Sequence, residues 1–125
     1  MRNIRPIYLN LLQFRFPILA YFSILTRLSG MLLLLIVPVL VFSLKTALAN
    51  EYGFELVMSI ITSPVSRFAA WCLLSALIYH MLMGIRHIIM ELGYFESLLQ
   101  AKISAFVTFA IILGISGTLG MSLCY

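Results

Sequence analysis

One segment, Tyr79-His80-Met81-Leu82-Met83-Gly84-Ile85-Arg86-His87-Ile88-Ile89-Met90-Glu91-Leu92-Gly93-Tyr94, holds both histidines of the chain together with an arginine and a glutamate, among apolar residues. Hydrocarbon leaves charged and polar groups unsolvated, so ionisable side chains inside a membrane-length segment are costly and usually retained for a task. Helical steps of four and seven residues return to nearly the same face. They place His80, Gly84, His87 and Glu91 in one stripe. A polar stripe with a glycine notch suits a packed cofactor or a partner.

The elements that must carry this stripe are membrane helices. Hydrophobic residues make up 63% of the chain and charged residues 10%, against about half and about a quarter in soluble domains. A span needs ~20 apolar residues plus connections, so the 125 residues form one domain with room for three spans. Three helices make a thin wall that hardly encloses a large site alone, which predicts an obligate partner. Cys72 and Cys124 are far apart and lack zinc or iron–sulfur spacing; they read as small apolar fillers. The net charge of +4 comes mostly from arginines near the N-terminus and suits an anionic membrane-lipid surface; no nucleic-acid-binding motif accompanies it. The N-terminus shows neither a cleavable-signal pattern nor a transit peptide, which fits a bacterial or organelle-encoded protein.

In chain order, residues 1–22 read as a cytoplasmic lead-in lying along the surface, with Pro6 and Pro17 discouraging a continuous helix. The first span is expected at about 23–47, bracketed by Arg27 and Lys45 and carrying Pro38 in its interior. Residues 50–64 mix acids with helix breakers and read as a loop with a short interfacial helix. The second span, about 65–92, holds the polar stripe, and Gly93-Tyr94 marks its stop. A third span covers about 103–124, where Gly114, Gly117 and Gly120 with Ser116 would permit close approach of another helix. Lysine and arginine are richest before the first span and around the turn between the second and third. That bias puts the N-terminus in the cytoplasm and the C-terminus outside.

This topology brings Ser23, Arg27 and Gly30, which share a helical face, to the same side of the membrane as Arg86 and His87. Two readings fit the arginines. They snorkel to lipid phosphates, or they line a cationic mouth able to hold an anionic group or a quinone carbonyl. His80 lies deeper than His87 by about 10 Å. A neutral imidazole there takes either a hydrogen bond across helices or a metal. As a ligand of a low-spin haem it needs a second histidine from another chain, and Gly84 would let a flat macrocycle lie against the helix.

Two stretches carry a family resemblance. Ser23-Ile24-Leu25-Thr26-Arg27-Leu28-Ser29-Gly30, preceded by Arg15-Phe16-Pro17-Ile18, and the Tyr79–Tyr94 segment with its His80-x-x-x-Gly84-Ile85-Arg86-His87 motif resemble the two signatures of the larger cytochrome b membrane anchor of succinate dehydrogenase. The Arg5-Pro6 lead-in, the length and the three-helix layout match as well. The resemblance implies an all-α membrane protein whose three transmembrane helices pack with a second anchor subunit into a haem-binding helical bundle. It implies His80 as axial ligand of haem b, the other ligand coming from the smaller anchor. Ser23 and Arg27 match positions that contact ubiquinone, with Arg27 also within reach of a haem propionate. Gly84 would pack on the haem, and Arg86 and His87 would support the site. Thr26 stands where the family usually has a histidine near the propionates; a hydroxyl donates one hydrogen bond but carries no charge. Glu91 replaces the common aspartate.

As part of succinate:quinone oxidoreductase, respiratory complex II, such a chain contributes no catalytic residue for succinate. FAD and iron–sulfur clusters belong to flavoprotein and iron–sulfur partner subunits, and the location is a bacterial inner membrane. The alternatives are a fumarate reductase anchor and a non-redox structural membrane subunit.

Overall fold

A computed structural model describes residues 17–95 and 97–124, so residues 1–16 of the expected lead-in, with Arg2, Arg5 and Arg15, lie outside the described residues. Four helices follow in order: α1 (Ile18–Ala49), α2 (Glu51–Ile61), α3 (Pro64–Glu91) and α4 (Leu98–Cys124). Among them α1, α3 and α4 are long and apolar enough to cross a membrane by length and composition, in agreement with the expected three spans. At 1.5 Å per residue their 32, 28 and 27 residues extend about 40–48 Å, beyond the ~30 Å hydrocarbon layer.

The helix ends follow local chemistry. Residues 18–22 are already helical, ahead of the expected start at Ser23, because Pro17 sits at the N-cap with φ −62° and its carbonyl accepts from Ala20 N–H at 2.8 Å. A proline at this position loses no intrahelical bond, so it starts the helix instead of interrupting it. One extended residue, Asn50, separates α1 from α2; its Oδ1 caps α2 by accepting from Gly53 N–H at 2.7 Å. Gly53 is buried there, and a Cβ on it would collide with the Thr46 carbonyl of α1. The short helix expected between the first two spans is thus α2, packed against α1. Ser63 caps α3 by accepting from Ser66 N–H, with Pro64 in the first turn. At the other end, Gly93 takes φ 88°, Gly93 N–H bonds Met90 O and Tyr94 N–H bonds Ile89 O. These are the paired bonds of a Schellman stop, which favours glycine where φ is positive. α4 begins at Leu98, ahead of the expected 103.

α3 is the middle helix and packs against both α1 and α4. Very little is buried: Tyr79, Met83, Ala101, Ala105 and Ile112 are the buried hydrophobics among the described residues, with Phe22 and Phe109 against them. Water would not tolerate so much exposed leucine, isoleucine and phenylalanine, but lipid is as apolar as those side chains. What holds the helices together is close packing and hydrogen bonds between them. On the α4 side, Ala101 and Ala105 are 4% and 0% exposed. Gly120 of α4 lies against the Trp71 indole, whose N–H donates to the Ser116 carbonyl at 2.8 Å. Gly114 and Gly117 face open space, where an added Cβ would meet nothing among the described residues. Cys72 is free and half-buried.

Candidate functional site

The start of α1 and the last turns of α3 enclose a cavity of about 420 Å³. From α1 it takes Ser23, Thr26 and Arg27; from α3, His80, Gly84, Arg86 and His87. Those are the residues that the sequence selects, collected around one space. Two grooves of similar volume, about 440 and 450 Å³, lie along α3 and α4 and are nearly all apolar. Volume therefore does not pick the site; the convergence of polar groups does.

His80 crosses from α3 to α1. Its Nδ1 lies 3.1 Å from the Thr26 carbonyl and 3.2 Å from Ser29 Oγ. A carbonyl only accepts, so Nδ1 carries a proton, and in the neutral ring Nε2 then keeps a lone pair. That is the form in which imidazole binds a metal, with the second nitrogen held by a backbone carbonyl or similar acceptor. No group of three or more His, Cys, Asp or Glu that could hold a bare ion occurs among the described residues. An iron at His80 must then bring its own equatorial ligands, as a macrocycle does. Gly84, one turn further on, leaves open space beside it: a Cβ would meet nothing within 4 Å. A lone-pair nitrogen and a bare stretch of backbone on one face fit a flat metal macrocycle.

Ser23 and Arg27 are exposed to the cavity, and among the described residues neither has a hydrogen-bond or ion-pair partner. A hydroxyl and a guanidinium in this state are available to a ligand. Thr26 differs, because its hydroxyl donates to the Phe22 carbonyl in its own helix at 2.9 Å. The donor expected to serve the site is spent locally, while the Thr26 backbone holds His80.

Arg86 lines the cavity but is directed to α4. Its Nε donates to Ser104 Oγ at 3.0 Å and its Nη2 to the Ala101 carbonyl at 2.6 Å. His87 pairs with Glu91, Nε2 to Oε1 at 3.4 Å, on the exposed surface. The expected stripe thus divides: His80, Gly84 and His87 reach the cavity, and Glu91 does not line it.

Sequence reasoning gave no site role to Ser29 or Tyr79. Ser29 is buried and contacts His80, and the Tyr79 hydroxyl donates to the Phe22 carbonyl at 3.0 Å, tying α3 to α1. Both partners are reached across helices, which spacing within one helix does not display.

Residues 1–119 match the family model described as succinate dehydrogenase/fumarate reductase transmembrane subunit. The chain is 37% identical over 108 residues to the succinate dehydrogenase cytochrome b556 subunit of Coxiella burnetii, covering 86% of each chain. It is 29% identical over 104 residues to the subunit of that name from Paracoccus denitrificans, covering 83% of this chain and 80% of the relative. A family match across nearly the whole length, joined to the two signature segments facing one cavity, places the chain in the succinate dehydrogenase/fumarate reductase transmembrane-subunit family.

Proposed function

We propose that this chain is the cytochrome b556 membrane anchor of a succinate dehydrogenase, holding haem b together with a smaller anchor subunit and forming part of the site where ubiquinone is reduced. The observation that carries this reading is the state of His80, with Nδ1 occupied by α1 and Nε2 without a hydrogen-bond partner among the described residues, in a cavity that the open Gly84 also lines. The names of both relatives favour succinate dehydrogenase over a fumarate reductase anchor.

His80 Nε2 would hold the haem together with a ligand from the smaller anchor, and the side-chain-free Gly84 would leave room for it. When bound, haem b supplies a one-electron carrier. The work of this chain's residues is positioning and charge stabilisation. The Ser23 hydroxyl donates to a quinone carbonyl. Arg27 sits beside it on α1 and stabilises the negative charge that grows on the ring oxygen during reduction, and would be within reach of a haem propionate. A cation placed where charge develops, in surroundings poor in water, acts more strongly than in bulk solvent. His87 and Arg86 complete the wall. Succinate is oxidised on a flavoprotein subunit, and electrons arrive through an iron–sulfur subunit at the cytoplasmic face of a bacterial inner membrane, with the C-terminus periplasmic.

Two measurements on the assembled complex test this. The reduced-minus-oxidised spectrum of the wild type shows a b-type haem band that His80→Ala abolishes; an unchanged band refutes the ligand assignment. Arg27→Leu lowers succinate-dependent quinone reduction by roughly 10²-fold, the low end of the range for removing a donor that stabilises developing charge, and Ser23→Ala, which removes one neutral hydrogen bond, by about tenfold. Reduction of an artificial acceptor that bypasses the membrane site stays near wild type. Equal losses in both assays indicate faulty assembly instead.

A further inference from the structure

We propose that Ser29 and Gly30 of α1 form a seat for the His80 imidazole and act as positioning residues for the haem; this rests on His80 being the axial ligand. The Ser29 hydroxyl donates to the Thr26 carbonyl at 2.8 Å and lies 3.2 Å from His80 Nδ1, which is itself 3.1 Å from that carbonyl. The three groups close a triangle. Because the hydroxyl proton is committed to the carbonyl, the oxygen lone pair faces Nδ1, and the ring proton is shared between two acceptors. The opposite tautomer would set a lone pair on Nδ1 against the Thr26 carbonyl, draw the Ser29 proton away from that carbonyl, and put the ring proton on Nε2, where it blocks a metal. The seat selects the ligating form of the ring.

Gly30 supplies the floor. A Cβ there would stand 2.8 Å from Cε1 and 3.3 Å from Nδ1 of His80. Only a residue with no side chain lets the ring lie this close to α1. Ser29 is also a buried polar residue, at 9% exposure, and its hydroxyl is used. Ser116, buried at 7%, has a hydroxyl with no hydrogen-bond partner among the described residues. Burial alone therefore does not produce the Ser29 arrangement. The Thr26 carbonyl serves whatever the side chain, so a threonine at the family's histidine position leaves the seat intact.

The test uses the complete complex carrying Ser29→Ala, Ser29→Thr, Gly30→Ala or His80→Ala. Three quantities are read: haem per flavin, the haem midpoint potential by redox titration, and the low-spin ferric EPR signal. Ser29→Ala keeps the haem but raises its potential and shifts the EPR signal, since an imidazole with one acceptor fewer donates less electron density to ferric iron. Ser29→Thr restores both. Gly30→Ala lowers haem per flavin at least tenfold. An unchanged or lowered potential in Ser29→Ala, or full haem content in Gly30→Ala, overturns the seat while the ligand assignment stands. Haem retained in His80→Ala overturns the assignment itself. Should Ser29→Ala fail to assemble, Ser29→Thr and Gly30→Ala decide: wild-type potential in the first with haem loss in the second supports the seat, and any other result refutes it.

Discussion

His80 and Arg86 lie on the same helix and are received by the same device on opposite sides of it. On α1, Ser29 donates to the carbonyl of Thr26, three residues back, and His80 approaches both oxygens. On α4, Ser104 donates to the carbonyl of Ala101, again three residues back, and Arg86 donates to both. The receivers match; the side chains do not. A guanidinium is all donor, and in this position it works as a clamp between helices. Imidazole has a second nitrogen of opposite character, so tying down one face leaves a directed lone pair on the other. The same backbone geometry therefore yields a structural tie in one seam and, on the proposed assignment, a ligand in the next.

Exchanging the chemistry at each receiver tests that contrast. The largest effect is expected for His80→Asn, which keeps an N–H able to reach the Thr26 carbonyl but offers no imidazole. Haem per flavin should fall to background while flavin recovered with the membrane complex stays close to wild type; loss of both together would make His80 a tie like Arg86. Next is Arg86→Leu, which removes two charge-assisted hydrogen bonds. In membranes such bonds contribute less than in dry model systems, so about 1–3 kcal/mol is expected, seen as a lower melting temperature in detergent. Haem and flavin should decline in step, and selective loss of quinone reduction would instead move Arg86 into the quinone site. The smallest effect is expected for Gly84→Ala. Nothing among the described residues obstructs a methyl there, and alanine favours helix over glycine by up to about 1 kcal/mol. The chain expressed alone should be no less stable, while haem per flavin in the complex drops a few-fold. Unaltered haem content would show that no ring rests on that backbone.

Much of this arrangement is legible before folding. Composition gives the spans, and helical periodicity puts His80, Gly84 and His87 on a common face. Charge bias pairs the start of α1 with the end of α3. The two signature segments name the family that the comparisons establish. Less legible is how each polar group is satisfied. Arg86 and Arg27 look equivalent in sequence, yet Arg86 is consumed by α4 and Arg27 has no partner among the described residues. Thr26 reads as a donor to the site, but its hydroxyl bonds the preceding turn. Ser29 sits three residues after Thr26, the spacing that lets a serine bond back along its helix; only the neighbouring helix turns that habit into a seat. Pro17 reads as a breaker and in fact begins α1, because the same missing N–H is harmful inside a helix and harmless at its start.

Trp71 is the chain's single tryptophan, and its indole donates to the Ser116 carbonyl beside Gly120. Its fluorescence therefore reports on the α3/α4 seam without any label, changing when the indole loses that hydrogen bond as α4 peels away. Along α3 it stands about 14 Å from His80, near enough for a bound porphyrin to quench its emission. In the isolated chain one optical signal thus follows helix pairing.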